Sequence, residues 1–272
     1  MKKYSKISLG ILLLVFLAGS AFLVVSGRQG QASGVKKVSL DATVSAWVQE
    51  SKKVAVSLKK AGTGSGKMVA IDAGHQQRGD SSTEPVGPGS SVKKAKVSGG
   101  ATGVATGTPE YKLTLKVAKR LKKELEARGY EVYMIRSKNN VNISNKKRAQ
   151  MANNSGADIY IRLHADASSS SSAVGASALY PSTANPYVKA LSKPSKKLSK
   201  CILNAYCKST GIRNRGLVVR NDLTGTNWSK IPVTLIEMGF LSNASEDQKM
   251  QKTSMQKKMA AGIADGVDAY FG

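Results

Sequence analysis

Residues 68–75 read Met-Val-Ala-Ile-Asp-Ala-Gly-His, an apolar run that ends in a glycine and a histidine. Two later segments have the same form, IYIRLH at residues 159–164 and PVTLIE at residues 232–237. Short runs rich in Val and Ile, with a polar residue at the end, are typical of buried strands. In open α/β sheets, ligands and active sites gather at the carboxyl edge of the strands. The polar end residues of these three runs are therefore the first candidates for a functional site.

Amphipathic stretches lie between the apolar runs and predict helices. An apolar residue recurs every fourth position from Leu113 to Leu125, and Gly129 stands where a C-cap belongs. Ser144 is the expected N-cap of a second helix, which ends near residue 156. Further strands are predicted at 131–136, 176–180 and 217–220, and further helices at 188–209 and 254–270. This order predicts an α/β fold: a single domain with a twisted, mostly parallel or mixed sheet flanked by helices.

The amino-terminal region has the composition of an export segment. Basic residues precede an uncharged run at residues 7–25, so residues 1–27 are predicted to be a signal peptide or a membrane anchor. No clean small-x-small cleavage site follows, and both alternatives stay open. Residues 28–67, rich in Gly, Ser and Lys, are predicted to form a stalk before the domain at 68–272. We therefore expect an extracytoplasmic protein, either secreted or anchored at the outer face of the membrane.

The chain is strongly basic, with 42 Lys and Arg against 17 Asp and Glu and a formal net charge of +25. Such a charge favours anionic partners. Nucleic acid is not expected, because the protein is exported, aromatic residues are sparse, and no zinc-finger or RNP pattern is present. The charge either attracts anionic lipids and wall polymers or is a solvated surface adapted to the habitat of the protein.

Two histidines and two carboxylates form a candidate metal site. His75 and His164 are the only histidines in the chain, and each ends an apolar run. Thr108-Pro109-Glu110 has the pattern of an N-cap, a first-turn proline and a first-turn acid, and the helix dipole would keep Glu110 ionised. Two imidazoles and one carboxylate, with a fourth position open, are a recurring ligand set for catalytic zinc. Glu237 then remains as a candidate base.

Each of these residues also has an ordinary structural explanation. A single histidine after a strand is often a satisfied polar residue, and Glu110 alone could be only a helix-start acid. The candidate ligands are far apart in sequence, and no short motif such as H-E-x-x-H joins them. Spacing alone therefore does not decide between a metal site and unrelated polar residues.

Four ordered segments resemble the zinc-dependent N-acetylmuramoyl-L-alanine amidases of bacterial walls, the type-3 amidase family. They are IDAGH at 71–75, Glu110 at the start of a long helix, IRLHAD at 161–166, and IEMGFLSN at 236–243. The likeness runs from about residue 69 to residue 271. The resemblance implies that His75, Glu110 and His164 bind Zn²⁺ and that Glu237 is the catalytic acid/base.

The resemblance also implies an activity. It indicates a peptidoglycan hydrolase that cleaves the amide between the lactyl group of N-acetylmuramic acid and L-alanine of the stem peptide, with zinc-activated water and Glu237 as general base and acid. The expected partner is peptidoglycan, with anionic wall polymers as a second partner through the basic surface, and we expect a monomer. The alternative is a catalytically weak or inactive wall-binding protein of the same fold. No ligand is missing from the sequence, which favours the enzyme.

Some positions depart from the common family pattern. Ala73 and Gln76-Gln77 stand where the family often has Pro and Gly-Gly, and Asp166 stands where it often has Asn. Asp166 is either an acceptor that orients an imidazole or a solvated loop acid. The long Gly, Ser and Lys-rich loop at 76–109 either shapes the substrate groove or is a tolerated insertion.

Three other charged residues need an interpretation. Glu84 lies in the same loop and is a rival ligand, but Glu110 is preferred because a helix start positions it rigidly. Arg136 and Arg148 match positions where the family often carries arginine. We interpret both arginines as structural ion-pair partners.

Overall fold

The computed structural model describes residues 64–272, together with three isolated helical positions at 45, 48 and 49. The predicted export segment and nearly all of the predicted stalk therefore lie outside the described residues. Within the part of the chain that is described, no helix has the length and apolar character needed to cross a bilayer.

A six-stranded sheet forms the centre of the fold, and a separate two-stranded hairpin lies beside it. The strands are β1 (Met68–Ala73), β2 (Asp80–Pro85), β3 (Lys93–Val97), β4 (Glu131–Met134), β5 (Ile159–Asp166), β6 (Ala176–Tyr180), β7 (Asn214–Val219) and β8 (Val233–Phe240). The helices are α1 (Glu110–Ala127), α2 (Asn145–Asn154), α3 (Ser192–Thr210), α4 (Thr224–Asn227), α5 (Ala244–Gln251) and α6 (Thr253–Phe271), with a 3₁₀ turn at Lys189–Leu191.

The sheet is mixed, as predicted. Its strand order is β4-β1-β5-β8-β6-β7. Strands β4, β1, β5 and β8 are parallel, whereas β6 runs antiparallel to β8 and parallel to β7. The carboxyl ends of β1, β5 and β8 therefore meet at one edge, where the three apolar runs of the sequence were expected to end.

Alternation along the strands gives the two faces of the sheet different partners. Ile236 and Met238 of β8 pack into the larger core with apolar residues of α1, α3 and α6. Val233, in the opposite alternation, packs with Tyr160 of β5 and with alanines of α2 on the other face. Glu237 belongs to this second face, at its carboxyl end. The candidate base therefore lies on the face of the sheet that packs against α2.

The hairpin β2–β3 and the short helices α4 and α5 were not predicted. The hairpin β2–β3 lies inside the region predicted as a loop, because DSSTEP and KKAKV are largely exposed and lack a regular apolar alternation. Helix α5 was also missed, although its N-cap Asn243 accepts a hydrogen bond from the backbone N–H of Glu246. The predicted strand at 217–220 begins three residues earlier, at Asn214, and the predicted strand at 131–136 ends at Met134. The other strand predictions and the Ser144 cap are confirmed.

Candidate metal centre

His75 follows β1 in an unusual backbone conformation. It is the only non-glycine residue with a positive φ (58°) in the described part of the chain. Arg148 holds this turn, since its Nη2 donates to the carbonyl oxygen of His75 at 3.0 Å. The Nδ1 of His75 lies 2.9 Å from the carbonyl oxygen of Ser98. A carbonyl can only accept, so Nδ1 carries the proton and Nε2 presents a lone pair.

Glu110 is the first residue of α1 and is only 3% exposed. The N-cap of this helix is Pro109, and no side chain caps it, so the predicted role of Thr108 as the cap is wrong. The chain enters the helix through the extended conformation of Pro109 instead. The carboxylate of Glu110 accepts from the backbone N–H groups of Ala101 at 2.9 Å and Ala165 at 3.0 Å. These two bonds fix both of its oxygens.

His164 lies on β5, directly beside Glu237 of β8 in the register of the sheet. The backbone of Gly74, just after β1, lies very close to the imidazole ring of His164. A Cβ at Gly74 would lie 2.4 Å from the Cε1 of His164. Only glycine fits between β1 and this imidazole. The sharp turn after β1 and the position of His164 therefore depend on each other.

The structure brings these three side chains together. The Nδ1 of His164 lies 3.1 Å from both the Nε2 of His75 and the Oε1 of Glu110, and the Nε2 of His75 lies 3.2 Å from the Oε2 of Glu110. All the donor atoms lie within 4.8 Å of one another. A tetrahedral zinc site with bonds of about 2.05 Å has ligand atoms about 3.3 Å apart. The spacing and the donor set therefore fit a zinc ion.

The protonation states also suit a metal. Burial lowers the pKa of His164 to about 4, which leaves the imidazole neutral near pH 7. Burial opposes ionisation of Glu110, but its contacts with the imidazoles of His164 and His75 outweigh burial and hold the pKa of Glu110 well below its usual range. Neutral imidazole and ionised carboxylate are the forms that bind a cation.

Glu237 has a different environment from Glu110. Its Oε2 is buried and has no hydrogen-bond partner among the described residues. Burial raises the pKa of Glu237 well above its usual value, and the charges of Glu110 and Asp166 add to the effect, while Arg162 and Arg220 oppose it. A raised pKa makes this carboxylate a stronger base than an ordinary glutamate, which suits it to accept a proton.

A buried ion-pair network supports the turn after β1. Asp72 accepts from Arg148 at 2.7 Å, from Arg162 at 3.1 Å and from the hydroxyl of Tyr160 at 3.0 Å. The ion-pair prediction is therefore confirmed for Arg148. It is wrong for Arg136, which instead donates to backbone carbonyl oxygens, including those of Ala73, Gly74 and Tyr111.

Two other acids lie outside the cluster. Glu84 is buried and accepts from the backbone N–H of Lys146 at 2.8 Å, so it caps the start of α2. Asp166 lies at the end of β5, and its hydrogen bond goes to the backbone N–H of Ala167, not to an imidazole. The geometry therefore leaves Glu110 as the carboxylate that faces both histidines.

A cavity of about 450 Å³ opens beside His75, His164 and Glu237. One wall comes from the hairpin and the residues after it. The opposite wall comes from β6, from β8 and from the segment that follows β7. The lining residues outside the cluster include Lys94, Val97, Ser98, Leu179, Arg220, Asp222, Leu223 and Leu235. The first wall lies in the loop at 76–109, for which groove shaping was one of the two predicted alternatives, whereas sequence reasoning did not assign the second wall. The carboxyl-edge rule could have flagged the charged residues that follow the predicted strand at 217–220.

Comparisons with known proteins agree with this fold and site. The family model described as N-acetylmuramoyl-L-alanine amidase matches residues 69–269 of the chain. The match covers the sheet, the helices around it and all four candidate site residues. The chain therefore belongs to the N-acetylmuramoyl-L-alanine amidase family.

Individual relatives show how far the likeness extends. The chain is 27% identical over 253 residues to the N-acetylmuramoyl-L-alanine amidase LytC of Bacillus subtilis, covering 92% of this chain but only 45% of LytC. It is 29% identical over 216 residues to the amidase Rv3717 of Mycobacterium tuberculosis, covering 76% and 87% of the two chains. The crystal structure of the amidase Ami1 from Mycobacterium smegmatis superimposes with a TM-score of 0.69 at 27% identity, covering 76% of this chain and 98% of Ami1.

Proposed function

We propose that this chain hydrolyses the amide between the lactyl group of N-acetylmuramic acid and L-alanine of the stem peptide in peptidoglycan. The observation that carries the proposal is one juxtaposition. Donor atoms of His75, Glu110 and His164 lie 3.1–3.2 Å apart, and the unpartnered carboxyl of Glu237 lies on the neighbouring strand, beside His164. Family membership supports the choice of bond.

His75, Glu110 and His164 would hold a zinc ion in this proposal. Zinc in such a ligand set supplies a Lewis acid that polarises a carbonyl group and makes water more acidic. The protein contributes the fixed geometry. Ser98 fixes the tautomer of His75, and the N–H groups of Ala101 and Ala165 fix the carboxylate of Glu110.

Glu237 is the proposed acid and base. It removes a proton from the attacking water as the new C–O bond forms, and it returns this proton to the alanine nitrogen as the C–N bond breaks. The raised pKa of Glu237 favours the first step, because a more basic carboxylate accepts the proton of water more readily. The cavity of about 450 Å³ beside Glu237 is the space available for the groups on either side of the amide.

We also propose that the enzyme acts outside the cytoplasmic membrane, with residues 1–27 as signal or anchor, residues 28–67 as stalk and residues 68–272 as catalytic domain. The basic surface would bind anionic wall polymers. Helix α3 supports this idea, because its 19 residues contain lysines and no acidic residue. Electrostatic binding of this kind weakens as salt is added.

Purified peptidoglycan offers the direct test of the activity. The zinc-loaded protein should release new amino-terminal alanine from the wall, and metal analysis should find about one zinc per chain. His75→Ala and His164→Ala should each lose most of the metal and the activity. Zinc-loaded protein that binds the wall without exposing alanine would indicate the inactive wall-binding alternative, and full zinc content in either variant would contradict the ligand assignment.

A further inference from the structure

The cavity beside the metal centre contains three cationic side chains whose roles differ. Arg162 is committed to the fold, because its Nε donates to Asp72 and its Nη2 donates to Asn145 at 2.8 Å. Lys94, on the hairpin, donates to the carboxylate of Asp222 at 2.7 Å. Arg220 also contacts Asp222, but only with part of its guanidinium group. Arg220 therefore combines an uncommitted edge of its guanidinium group with an accessible side chain, which is 43% exposed against 4% for Arg162.

Arg220 is held firmly on one side. It follows the last residue of β7, and its backbone N–H donates to the carbonyl oxygen of Tyr180 at 3.0 Å. Its Nε and Nη2 donate to the two carboxylate oxygens of Asp222 at 2.7 and 2.9 Å. Within residues 64–272, no hydrogen bond from its Nη1 is found. A planar fork fixed along one edge presents its remaining N–H groups in a defined direction.

The cluster of Lys94, Arg220 and Asp222 has a net positive charge, and the carboxyl groups of Glu237 and Asp166 also attract Arg220 from beyond ion-pair distance. Lys94 and Arg220 together carry two positive charges against the one negative charge of Asp222, and Asp72 already neutralises part of the charge of Arg162. The neighbouring wall is apolar, with Leu179 and Leu223. An apolar wall lowers the local dielectric and strengthens the attraction for an anion. This part of the cavity therefore suits a carboxylate joined to a small apolar unit.

The proposed reaction indicates which carboxylate this is, and the inference rests on that proposed function. On the sugar side of the scissile bond, the lactyl carboxyl is itself part of the amide, so the nearby groups are neutral hydroxyls and an N-acetyl group. On the peptide side, the residue after alanine is a glutamate that continues the stem through its side-chain carboxyl, so its α-carboxylate is the first free carboxylate. We propose that Arg220 binds the α-carboxylate of this second stem-peptide residue and makes the enzyme select a free carboxylate over an amidated one.

Binding of two product dipeptides tests this role without relying on turnover. L-alanyl-D-glutamate and L-alanyl-D-isoglutamine differ only in the α-carboxylate, which is an amide in the second. Calorimetry with the zinc-loaded protein should show about tenfold or more tighter binding of the glutamate form, as expected for charge-assisted hydrogen bonds. Arg220→Gln should abolish the preference, and Arg220→Lys should retain part of it, since the charge remains and the fork is lost.

Arg213→Gln is the matched control, because Arg213 is exposed and lies outside the cavity wall. This variant should keep the full preference. Equal affinity of the wild type for both dipeptides, or a preference that survives in Arg220→Gln, would overturn the inference. Thermal melting checks the fold, and if Arg220→Gln does not fold, Arg220→Lys decides. A binding preference without alanine release from the wall would contradict the proposed amidase reaction but not the role of Arg220.

Discussion

Two buried clusters of charged and polar side chains lie at the same edge of the sheet, and they differ in how completely they are paired. In the cluster around Asp72, both carboxylate oxygens accept hydrogen bonds, from Arg148, Arg162 and Tyr160. In the metal centre, the Nε2 of His164 and the Oε2 of the nearby Glu237 are buried and have no partner among the described residues. Buried polar groups in proteins are nearly always paired. The first cluster is therefore fully paired as a support, whereas the second leaves the carboxyl of Glu237 free for proton transfer.

The same contrast appears in the two carboxyl groups. Burial alone raises the pKa of both Asp72 and Glu237. Beside Asp72, the charges of Arg148 and Arg162 overcome burial and hold its pKa well below the usual range. Around Glu237, the anionic neighbours Glu110 and Asp166 act in the same direction as burial. Neighbouring charge thus keeps Asp72 ionised, whereas burial, reinforced by Glu110 and Asp166, raises the pKa of Glu237.

Loss of Asp72 should produce the largest effect on stability. Asp72→Asn leaves Arg148 and Arg162 buried without their counter-ion, so the free energy of unfolding should fall by about 3–5 kcal/mol, as measured by urea denaturation. Glu131→Gln, at an exposed carboxylate on β4, should change it by less than about 0.5 kcal/mol. Equal stabilities of the two variants would mean that the Asp72 cluster does not support the fold.

An added side-chain atom beside the candidate metal centre should weaken metal binding and leave the Asp72 cluster intact. A Cβ at Gly100 would lie 2.9 Å from the Cγ of His75 and 3.0 Å from the Oε2 of Glu110. Gly100→Ala should therefore reduce zinc affinity by about ten to a hundredfold, measured by competition with a chelator. Gly107→Ala is the control, because Gly107 also has a positive φ but no atom within 4 Å of the added Cβ. Equal affinities would show that the Gly100 contact is unimportant.

Ionisation of Asp72 and ionisation of Glu237 should change the free energy of unfolding in opposite directions. In the metal-free protein, Glu237 ionises in the unfolded chain above about pH 4 but stays neutral in the fold to higher pH, so the free energy of unfolding falls as the pH rises through this range. Glu237→Gln removes this loss and should be more stable than the wild type at pH 7, with no gain below pH 4. A Glu237→Gln variant less stable at pH 7 would show that the carboxyl is paired in the fold.

Substitution of Glu84 should have the smallest effect on the free energy of unfolding. It caps α2 through the backbone N–H of Lys146, outside the metal cluster. Glu84→Gln should therefore cost about 1 kcal/mol or less in unfolding free energy and leave zinc content unchanged. Loss of zinc in this variant would restore Glu84 as a rival to Glu110.

The sheet edge and its residues could be predicted because their signals are local. Apolar runs ending at His75, His164 and Glu237 identify strands, and strand ends identify the edge. The bonds made by Arg136 could not be predicted, since backbone carbonyl acceptors leave no trace in the sequence. Family resemblance supplied the ligand set that spacing alone left open.

The hairpin structure of the cavity wall could not be predicted, for a different reason, although groove shaping was one of the two alternatives for the loop that contains it. The hairpin β2–β3 is mostly exposed, and tertiary contacts hold it in place. Asn145 donates to the carbonyl oxygen of Lys96, Trp228 donates to that of Pro85, and Lys94 reaches Asp222. Each contact joins residues at least 49 positions apart in sequence. No short stretch of the sequence contains both partners of such a contact, so local patterns do not indicate it.

The most direct test of the account is turnover by Glu237→Gln. The substitution keeps the size of the side chain but removes the basicity that the proposed reaction needs. We predict that zinc content and fold survive while alanine release from purified peptidoglycan falls by at least about a hundredfold. Near-normal release, or loss of zinc from this variant, would contradict the assignment of Glu237 as the acid and base beside a His75, Glu110 and His164 metal site.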